Sequence, residues 1–199
     1  MTFCIIAADV RSKTVGVVVG GASLDSVLVR GSGVGVVALL GSVDAELSAE
    51  MARRIVEGLD PRDALSQPLE ANPNRDEQQA FAVDARGRTA AHSGRGCARL
   101  FGHTEGTDHV AGGNDLPTPN VIGAMSLSFE RSAGDPLWER LMLAMESGAR
   151  AGGDRGGTRC AMLMVYDEGD ASIVDVRVED HEDVVSELRR LVSEARPSR

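Results

Sequence analysis

The segment TFCIIAAD, residues 2–9, decides the fold because it predicts a β-strand that begins at the second residue. Successive side chains of a strand point to opposite faces. One face would carry Thr2, Cys4, Ile6 and Ala8, and the other Phe3, Ile5 and Ala7. Both faces are almost entirely apolar, which is typical of a strand buried on both sides. We therefore expect Thr2 to be fixed inside the protein rather than to lie in a frayed terminus.

The composition predicts one globular domain over residues 1–199. Hydrophobic residues make up 42% of the chain and charged residues 26%, which is typical of a folded protein. Aromatic residues make up only 3%, so aliphatic side chains must fill most of the core. A chain of 199 residues is long enough for one sizeable core and short for two. The sequence contains no internal repeat and no low-complexity linker.

The charge balance argues against nucleic acid as a partner. The formal net charge is −9, and Lys13 is the only lysine. Such a surface repels a phosphate backbone, and no basic cluster with interleaved aromatic residues offsets the repulsion. No apolar stretch approaches 18 residues, and the start of the chain lacks the pattern of a signal peptide. We therefore expect a cytoplasmic protein that does not bind membranes.

The cysteines and histidines predict neither a disulfide framework nor a metal site. Three cysteines lie far apart in the sequence, at positions 4, 97 and 160. The four histidines form no closely spaced pair, and the cysteines form no CxxC motif. We expect no metal and no other cofactor.

The pattern of apolar residues predicts four strands, two helices, four strands, two helices, two strands and one helix. Asp60-Pro61, Thr118-Pro119 and Asp135-Pro136 are predicted to start helices, each as a capping residue followed by proline. Gly152-Gly153 is predicted to end a helix. Two strands are expected near 98–102 and 109–113. Blocks of strands separated by paired helices indicate sheets covered by helical layers.

Six short motifs follow one another in an order that spans nearly the whole chain. They are MTFCIIAAD at 1–9, VDARGRTAAHSG at 83–94, GH at 102–103, GGN at 112–114, AGGDRGG at 151–157 and DVRVEDH at 175–181. Together they resemble the bacterial family called domain of unknown function 1028. That family is placed with the N-terminal-nucleophile (Ntn) hydrolases, the superfamily of the proteasome β-subunits. The resemblance implies an α+β fold, a four-layer αββα sandwich of two mainly antiparallel sheets.

The resemblance also implies a catalytic role for Thr2. In these hydrolases the first residue of the mature chain is the nucleophile, and its own α-amino group is the base. Removal of Met1 would make Thr2 that residue. A hydroxyl is a poor nucleophile until a base takes its proton, and an α-amine titrates near 7.7–8.0. We expect acyl transfer through Thr2 from an amide or peptide bond of a small molecule. The alternative is an ordinary threonine at the start of a strand.

The superfamily pattern places two loops beside the nucleophile, and the first contains Gly113 and Asn114. The Asn114 amide and nearby backbone N–H groups would donate to an oxyanion. The alternative for Asn114 is a turn before the next helix.

The second loop, residues 152–158, contains Asp154 and Arg155. Asp154 would orient the N-terminal amine, and Arg155 or Arg159 would bind a substrate carboxylate. The alternative is a glycine helix stop with a solvated ion pair. His103 would border the pocket or serve as an ordinary surface histidine.

Three departures from the family pattern favour a different function. Family members commonly have Ser-Arg where this chain has Gly20-Gly21 after Val19, Thr-Gln where it has Leu39-Leu40, and Gln-Ser where it has Arg159-Cys160. Each change alters a polar group expected near the pocket. The alternative function is therefore a catalytically silent member that binds a small metabolite or acts as an assembly subunit.

The final predicted helix suggests assembly. It has an apolar stripe formed by Val184, Val185, Leu188, Leu191 and Val192. Superfamily relatives commonly pack through helical surfaces or sheet edges, so we expect a homodimer or larger homo-oligomer. The alternative is that the stripe contacts the core of its own chain, because it is wide enough to do so.

Overall fold

The computed structural model describes residues 2–97, 99–169 and 171–195, and within these ranges ten strands form two antiparallel sheets. The strands are β1 Thr2–Asp9, β2 Thr14–Gly21, β3 Val27–Ser32, β4 Gly35–Gly41, β5 Gln78–Asp84, β6 Thr89–Ser93, β7 Gly102–Gly106, β8 His109–Asn114, β9 Cys160–Tyr166 and β10 Ser172–Val178. The first sheet has the order β10-β9-β2-β1-β8-β7, and the second has the order β3-β4-β5-β6. The predicted strand β1 is therefore confirmed, and it lies inside the larger sheet.

Five α-helices cover the outer faces of the two sheets in the described ranges. They are α1 Ala45–Val56, α2 Pro61–Ala71, α3 Asn120–Arg131, α4 Leu137–Arg150 and α5 Val184–Ala195. Helices α1 and α2 pack on the second sheet, and α3, α4 and α5 are packed on the first. The predicted αββα sandwich is confirmed. None of these helices is both long and apolar enough to cross a membrane.

Strand β1 separates two hydrophobic layers. Phe3 and Ile5 belong to the layer between the first sheet and its helices, whereas Cys4 and Ile6 belong to the layer between the two sheets. All eight residues of β1 are buried. The alternation predicted from TFCIIAAD is therefore confirmed, and its parity directs the Thr2 side chain toward the second sheet.

The predicted starts of the helices are confirmed in part. The Asp60 carboxylate accepts a hydrogen bond from the Arg62 N–H at 3.0 Å, with Pro61 as the first helical residue of α2. At the start of α3 the Thr118 Oγ1 accepts from the Asn120 N–H at 2.9 Å, so the predicted capping role of Thr118 is confirmed. In α4, however, Pro136 occupies the capping position and makes no side-chain cap. The prediction that Asp135 caps α4 was wrong.

The end of α4 agrees with the sequence pattern. Gly152 and Gly153 both adopt positive φ, at 127° and 57°, and the Gly153 N–H donates to the Gly148 carbonyl. A left-handed glycine that returns a hydrogen bond to the last turn is a common helix stop.

The strand predicted at 98–102 was wrong. The observed β7 runs from Gly102 to Gly106, while Leu100 is exposed before it and Ala98 lies outside the described residues. Strand β7 is at the edge of its sheet and has no fully buried residue, so it lacks the apolar pattern that would mark it. The neighbouring prediction at 109–113 is confirmed by β8.

Candidate functional site

The Thr2 side chain lies at the start of β1 with its hydroxyl in an unusual environment. Thr2 pairs with Gly21 of β2 on one side and with Asn114 of β8 on the other. It is 0% exposed, and its Oγ1 atom has no hydrogen-bond partner among the described residues. An unpaired buried hydroxyl costs about 1–3 kcal/mol relative to a paired one, so such a group is uncommon.

The Asn114 side chain connects the two sheets beside Thr2. Register partners in antiparallel strands point to the same face, so Asn114 and Thr2 both face the second sheet. The Asn114 Nδ2 donates to Oε1 of Gln79, on β5, at 2.9 Å. Both residues are buried. The asparagine is therefore fixed in the interior beside Thr2.

Gln79 extends this contact into a chain of hydrogen bonds. Its Nε2 donates to the Ser93 Oγ at 2.8 Å and to the Gly102 carbonyl at 3.1 Å. The Ser93 hydroxyl lies 2.9 Å from Nδ1 of His103. His103 is exposed on β7, and this chain connects it to Asn114. Sequence reasoning missed Gln79 and Ser93, and the only available signal was a polar Gln78-Gln79 pair at the start of an otherwise apolar strand.

Gly113 lies against the backbone of β1. A Cβ atom at this position would be 2.6 Å from the Thr2 carbonyl oxygen and 2.9 Å from the Phe3 Cα. Only glycine allows β8 to approach the start of β1 so closely. Its predicted N–H donation to an oxyanion stays a prediction.

Asp154 holds the loop 152–158 beside the other neighbour of Thr2. Its Oδ1 accepts from the Gly156 N–H at 2.6 Å, and its Oδ2 accepts from the Ala22 N–H at 3.3 Å. Ala22 directly follows Gly21, the register partner of Thr2. The carboxylate is only 4% exposed, so it binds backbone N–H groups in a largely dry environment. The structure therefore brings Thr2, Asn114 and Asp154 to one end of the first sheet.

The two arginines predicted to bind substrate already have partners. The Arg155 guanidinium lies 3.3 Å from the Asp115 carboxylate and donates to the Leu116 carbonyl at 2.9 Å. The Arg159 guanidinium lies 2.6 Å from the Asp180 carboxylate. Arg155 borders the site because its partner Asp115 directly follows Asn114 in the sequence. Arg159 reaches the site through its backbone N–H, which donates to the Gly21 carbonyl at 3.0 Å.

A cavity of about 440 Å³ adjoins Asn114. It is lined by Ser26, Gly41, Ser42, Glu77, Gly96, Cys97 and Asn114. A larger cavity of about 1170 Å³ lies at the other end of β1, where its walls include Asp9 and Trp138. The smaller cavity is therefore the one adjacent to the predicted site residues.

Two cysteines near this end of the sheet, Cys4 and Cys97, are poor nucleophiles. Cys4 lies on the same face of β1 as Thr2, and complete burial raises the pKa of its thiol to about 12. Burial also raises the pKa of Cys97 in the wall of the smaller cavity. Both thiols stay protonated at neutral pH, so neither supplies a thiolate. Among the described residues, no group of three or more His, Cys, Asp or Glu side chains could hold a metal ion.

Comparison with known proteins identifies a family and a fold. A family model described as "Family of unknown function (DUF1028)" matches residues 2–188. A crystal structure of a DUF1028 protein from Silicibacter pomeroyi has a TM-score of 0.88 and 26% identity, covering 99% of this chain and 87% of its own. Anbu (ancestral beta-subunit) from Yersinia bercovieri has a TM-score of 0.52 and 12% identity, covering 96% of this chain and 93% of its own.

An Anbu (Gly-1) mutant from Hyphomicrobium sp. strain MC1 gives similar values. Its TM-score is 0.50 and its identity 11%, with 98% of this chain and 94% of its own covered. These two likenesses concern the Ntn-hydrolase-like fold alone. No curated protein sequence matches the chain.

Proposed function

This chain belongs to the DUF1028 family, and from that premise we propose that it is an Ntn hydrolase in which Thr2 is the nucleophile. Its substrate would be a small molecule with an amide or peptide bond. The family description assigns no function, so the proposal depends on the site itself.

The observation that carries the proposal is the unpaired Oγ1 of Thr2. Buried hydroxyls normally find a hydrogen-bond partner, because the interior offers no water to replace one. Among the described residues, Thr2 Oγ1 has no such partner, although it lies at the start of a central strand beside Asn114 and the loop held by Asp154. A hydroxyl whose partner is its own α-amine, after processing, would account for this arrangement. Met1 itself lies outside the described residues.

The proposed reaction begins with removal of Met1. The free α-amine of Thr2 then accepts the Oγ1 proton, and Oγ1 forms a bond to the substrate carbonyl carbon. Asn114 has a second Nδ2 hydrogen that is not used by Gln79, and it would donate to the developing oxyanion. Collapse of the intermediate breaks the C–N bond, and the leaving amine takes the proton from the Thr2 ammonium. Water, activated by the same amine, then hydrolyses the ester and restores Oγ1–H.

The surrounding charges suggest how a substrate would be held. Arg155 would bind a substrate carboxylate in exchange for its contact with Asp115, which is partly solvated and therefore weak. The cavity beside Asn114 has room for a small molecule and carries the Glu77 carboxylate. Asp154 holds the loop 152–158, which carries Arg155, against the backbone of Ala22.

The alternative proposal is a silent family member that binds a small metabolite or acts as an assembly subunit. Two observations favour it: Thr2 is completely buried, and the side chains of Arg155 and Arg159 are already paired. A silent member would have no need for a free N-terminal amine.

An electrophilic probe separates the two proposals without knowledge of the substrate. Untagged protein is analysed by intact mass spectrometry for loss of Met1 and is then treated with an alkyne-tagged β-lactone. Attack by Oγ1 opens the lactone and leaves an ester on Thr2, which tandem mass spectrometry maps. Thr2→Ser should be labelled. Thr2→Ala should not, although it keeps the amine and permits processing.

A protein with an N-terminal tag that cannot be removed is the second control. It keeps the Thr2 hydroxyl but lacks the free amine, so labelling should be lost. Retention of Met1, or equal labelling of Thr2→Ala, would contradict the hydrolase proposal and favour the silent member. A positive result would justify a screen of amides, dipeptides and lactams.

A further inference from the structure

The orientation of the Gln79 side-chain amide is determined by its neighbours. The Gly102 carbonyl can only accept a hydrogen bond, so the group that faces it at 3.1 Å must be the Gln79 NH₂. The same NH₂ group donates its second hydrogen to the Ser93 hydroxyl. Both hydrogens of Nε2 are therefore used, and Oε1 is directed toward Asn114. Gln79 is 0% exposed, so water does not compete for these contacts.

This orientation determines that of Asn114 in turn. Oε1 of Gln79 accepts only, so the Asn114 atom that faces it at 2.9 Å must be Nδ2. The Oδ1 of Asn114 is consequently turned away from Gln79. Asn114 is the register partner of Thr2, and such pairs have Cβ atoms about 4.5–5.5 Å apart. A fixed acceptor therefore lies next to the residue whose amine would act as the base.

The hydrogen bonds of Ser93 and His103 are consistent with this orientation of the Gln79 amide. Ser93 accepts from Gln79, so its own hydrogen is free to be donated to Nδ1 of His103. Partial burial of the imidazole lowers the pKa of His103, which favours the neutral ring that can accept this hydrogen. Each hydrogen bond from Asn114 through Gln79 and Ser93 to His103 thus joins a donor to an acceptor.

We propose that Gln79 is a positioning residue for the Thr2 site. It orients the Asn114 amide so that Oδ1 accepts a hydrogen bond from the α-amine of processed Thr2, which aims the amine lone pair at Oγ1. This inference rests on the proposed function. It assigns a role to a residue of the second sheet, 77 positions from Thr2 in the sequence.

The test compares Gln79→Met with Gln79→Glu in processed, full-length protein, with β-lactone labelling of Thr2 as the readout. Methionine has a similar length but its thioether is only a weak acceptor for the Asn114 amide, so labelling should slow about tenfold or more. Glutamate keeps an oxygen that faces Asn114 and should label faster than methionine, even where its contact with the Gly102 carbonyl destabilises the fold. Thermal unfolding of each variant separates the two effects.

Gln78→Met is the matched control. Gln78 is the adjacent residue, equally buried, and its amide bonds to Ser42 and Asn72 rather than to Asn114. The Gln78→Met variant should lose about as much stability as Gln79→Met, while Thr2 labelling continues at nearly the wild-type rate.

The pH dependence of labelling gives a signature that mere destabilisation would not produce. An acceptor at the amine favours the charged ammonium and so raises the pKa of the amine. Loss of that acceptor in Gln79→Met should lower the amine pKa, and the rising limb of the pH–rate profile should move to lower pH. Unchanged rate and profile in Gln79→Met, with wild type labelled, would overturn the positioning role alone. Absence of labelling in wild type would overturn both proposals.

Discussion

Thr2 and Asn114 face each other across β1 and β8, and both point into the layer between the sheets. On the other side of Thr2 the register partner is Gly21, which has no side chain. The next residue in this cross-strand register is Cys160, which pairs with Gly21 from β9. Thr2 therefore has a polar side chain as its neighbour on one side and a buried glycine on the other.

The close approach of Gly113 to β1 predicts a sharp difference between two glycine substitutions. In Gly113→Ala the new Cβ would lie 2.6 Å from the Thr2 carbonyl oxygen, so β1 or β8 must move. We expect a loss of about 1–3 kcal/mol in the free energy of unfolding, together with slower labelling of Thr2. Urea denaturation measures the first effect, and β-lactone labelling the second.

Gly123→Ala is the control for that experiment. Gly123 is exposed on α3, and a Cβ there meets nothing within 4 Å. Alanine has the higher helix propensity, so stability should rise by up to about 1 kcal/mol, with labelling unchanged. If Gly113→Ala and Gly123→Ala had the same stability and labelling rate, the close approach of β8 to β1 would not require glycine at position 113.

Asp154→Asn should lower both stability and reactivity. Each carboxylate oxygen of Asp154 accepts from a backbone N–H, on Gly156 and on Ala22. An asparagine presents a donor to one of them, so a buried N–H loses its acceptor, at a cost of about 1–3 kcal/mol. Urea denaturation should show this loss, and Thr2 labelling should slow because the loop moves. Asp25→Asn, at an exposed aspartate, should change neither; a fully stable Asp154→Asn would contradict the anchoring role.

Much of the fold could be predicted because its signals are local. The continuous apolar run of β1 and the Asp60-Pro61 start of α2 each depend on a few neighbouring residues. Strand β7 could not be found in this way, because an edge strand is held by its pairing with β8 rather than by its own apolar residues. The sequence instead favoured Leu100, which is exposed.

The candidate site shows the same contrast between local signals and long-range contacts. The resemblance predicted roles for Thr2, Asn114 and Asp154, and the structure places all three at one end of β1. It gave no indication of Gln79, whose contact with Asn114 spans 35 positions and two sheets. Long-range polar contacts of this kind depend on how the sheets stack, which single-sequence periodicity does not encode.

Protonation of His109 predicts a pH dependence of stability. The ring is 0% exposed, with Nδ1 2.9 Å from the Thr107 carbonyl and Nε2 2.8 Å from the Ser126 hydroxyl. Burial lowers its pKa in the folded state, so the unfolded chain binds a proton more readily below about pH 6.5. Stability should therefore fall as pH decreases from about 6.5 toward 5.

His109→Gln should show a smaller fall over this range than wild type, as measured by thermal unfolding at several pH values. His92→Gln, at a less buried histidine on β6, controls for the substitution itself. A His109→Gln profile parallel to that of wild type would exclude His109 as the source.

The homo-oligomer predicted from α5 now needs a direct measurement. Val184, Leu188 and Val192 are buried against the first sheet, and Val185 and Leu191 pack partly against the same core. The apolar stripe is thus largely used within the chain. We still expect a dimer or larger assembly, with a mass that is a multiple of 20.9 kDa by light scattering at micromolar concentration. A mass equal to one chain would contradict this.

The unpaired hydroxyl of Thr2 predicts that stability and function oppose each other at this position. Thr2→Val replaces Oγ1 with a methyl group of nearly the same shape and removes a buried polar atom that has no partner among the described residues. In preparations with an N-terminal tag that cannot be removed, no free α-amine can pair with Oγ1, and the free energy of unfolding should rise by about 1–2 kcal/mol by urea denaturation. In processed protein, labelling by the β-lactone should disappear, since no attacking oxygen is left. Thr2→Ser keeps the oxygen but loses the buried methyl group, so it should be labelled while being less stable than wild type. A Thr2→Val protein less stable than wild type would mean that the hydroxyl is satisfied in the native state, and an orphaned nucleophile would no longer explain its burial.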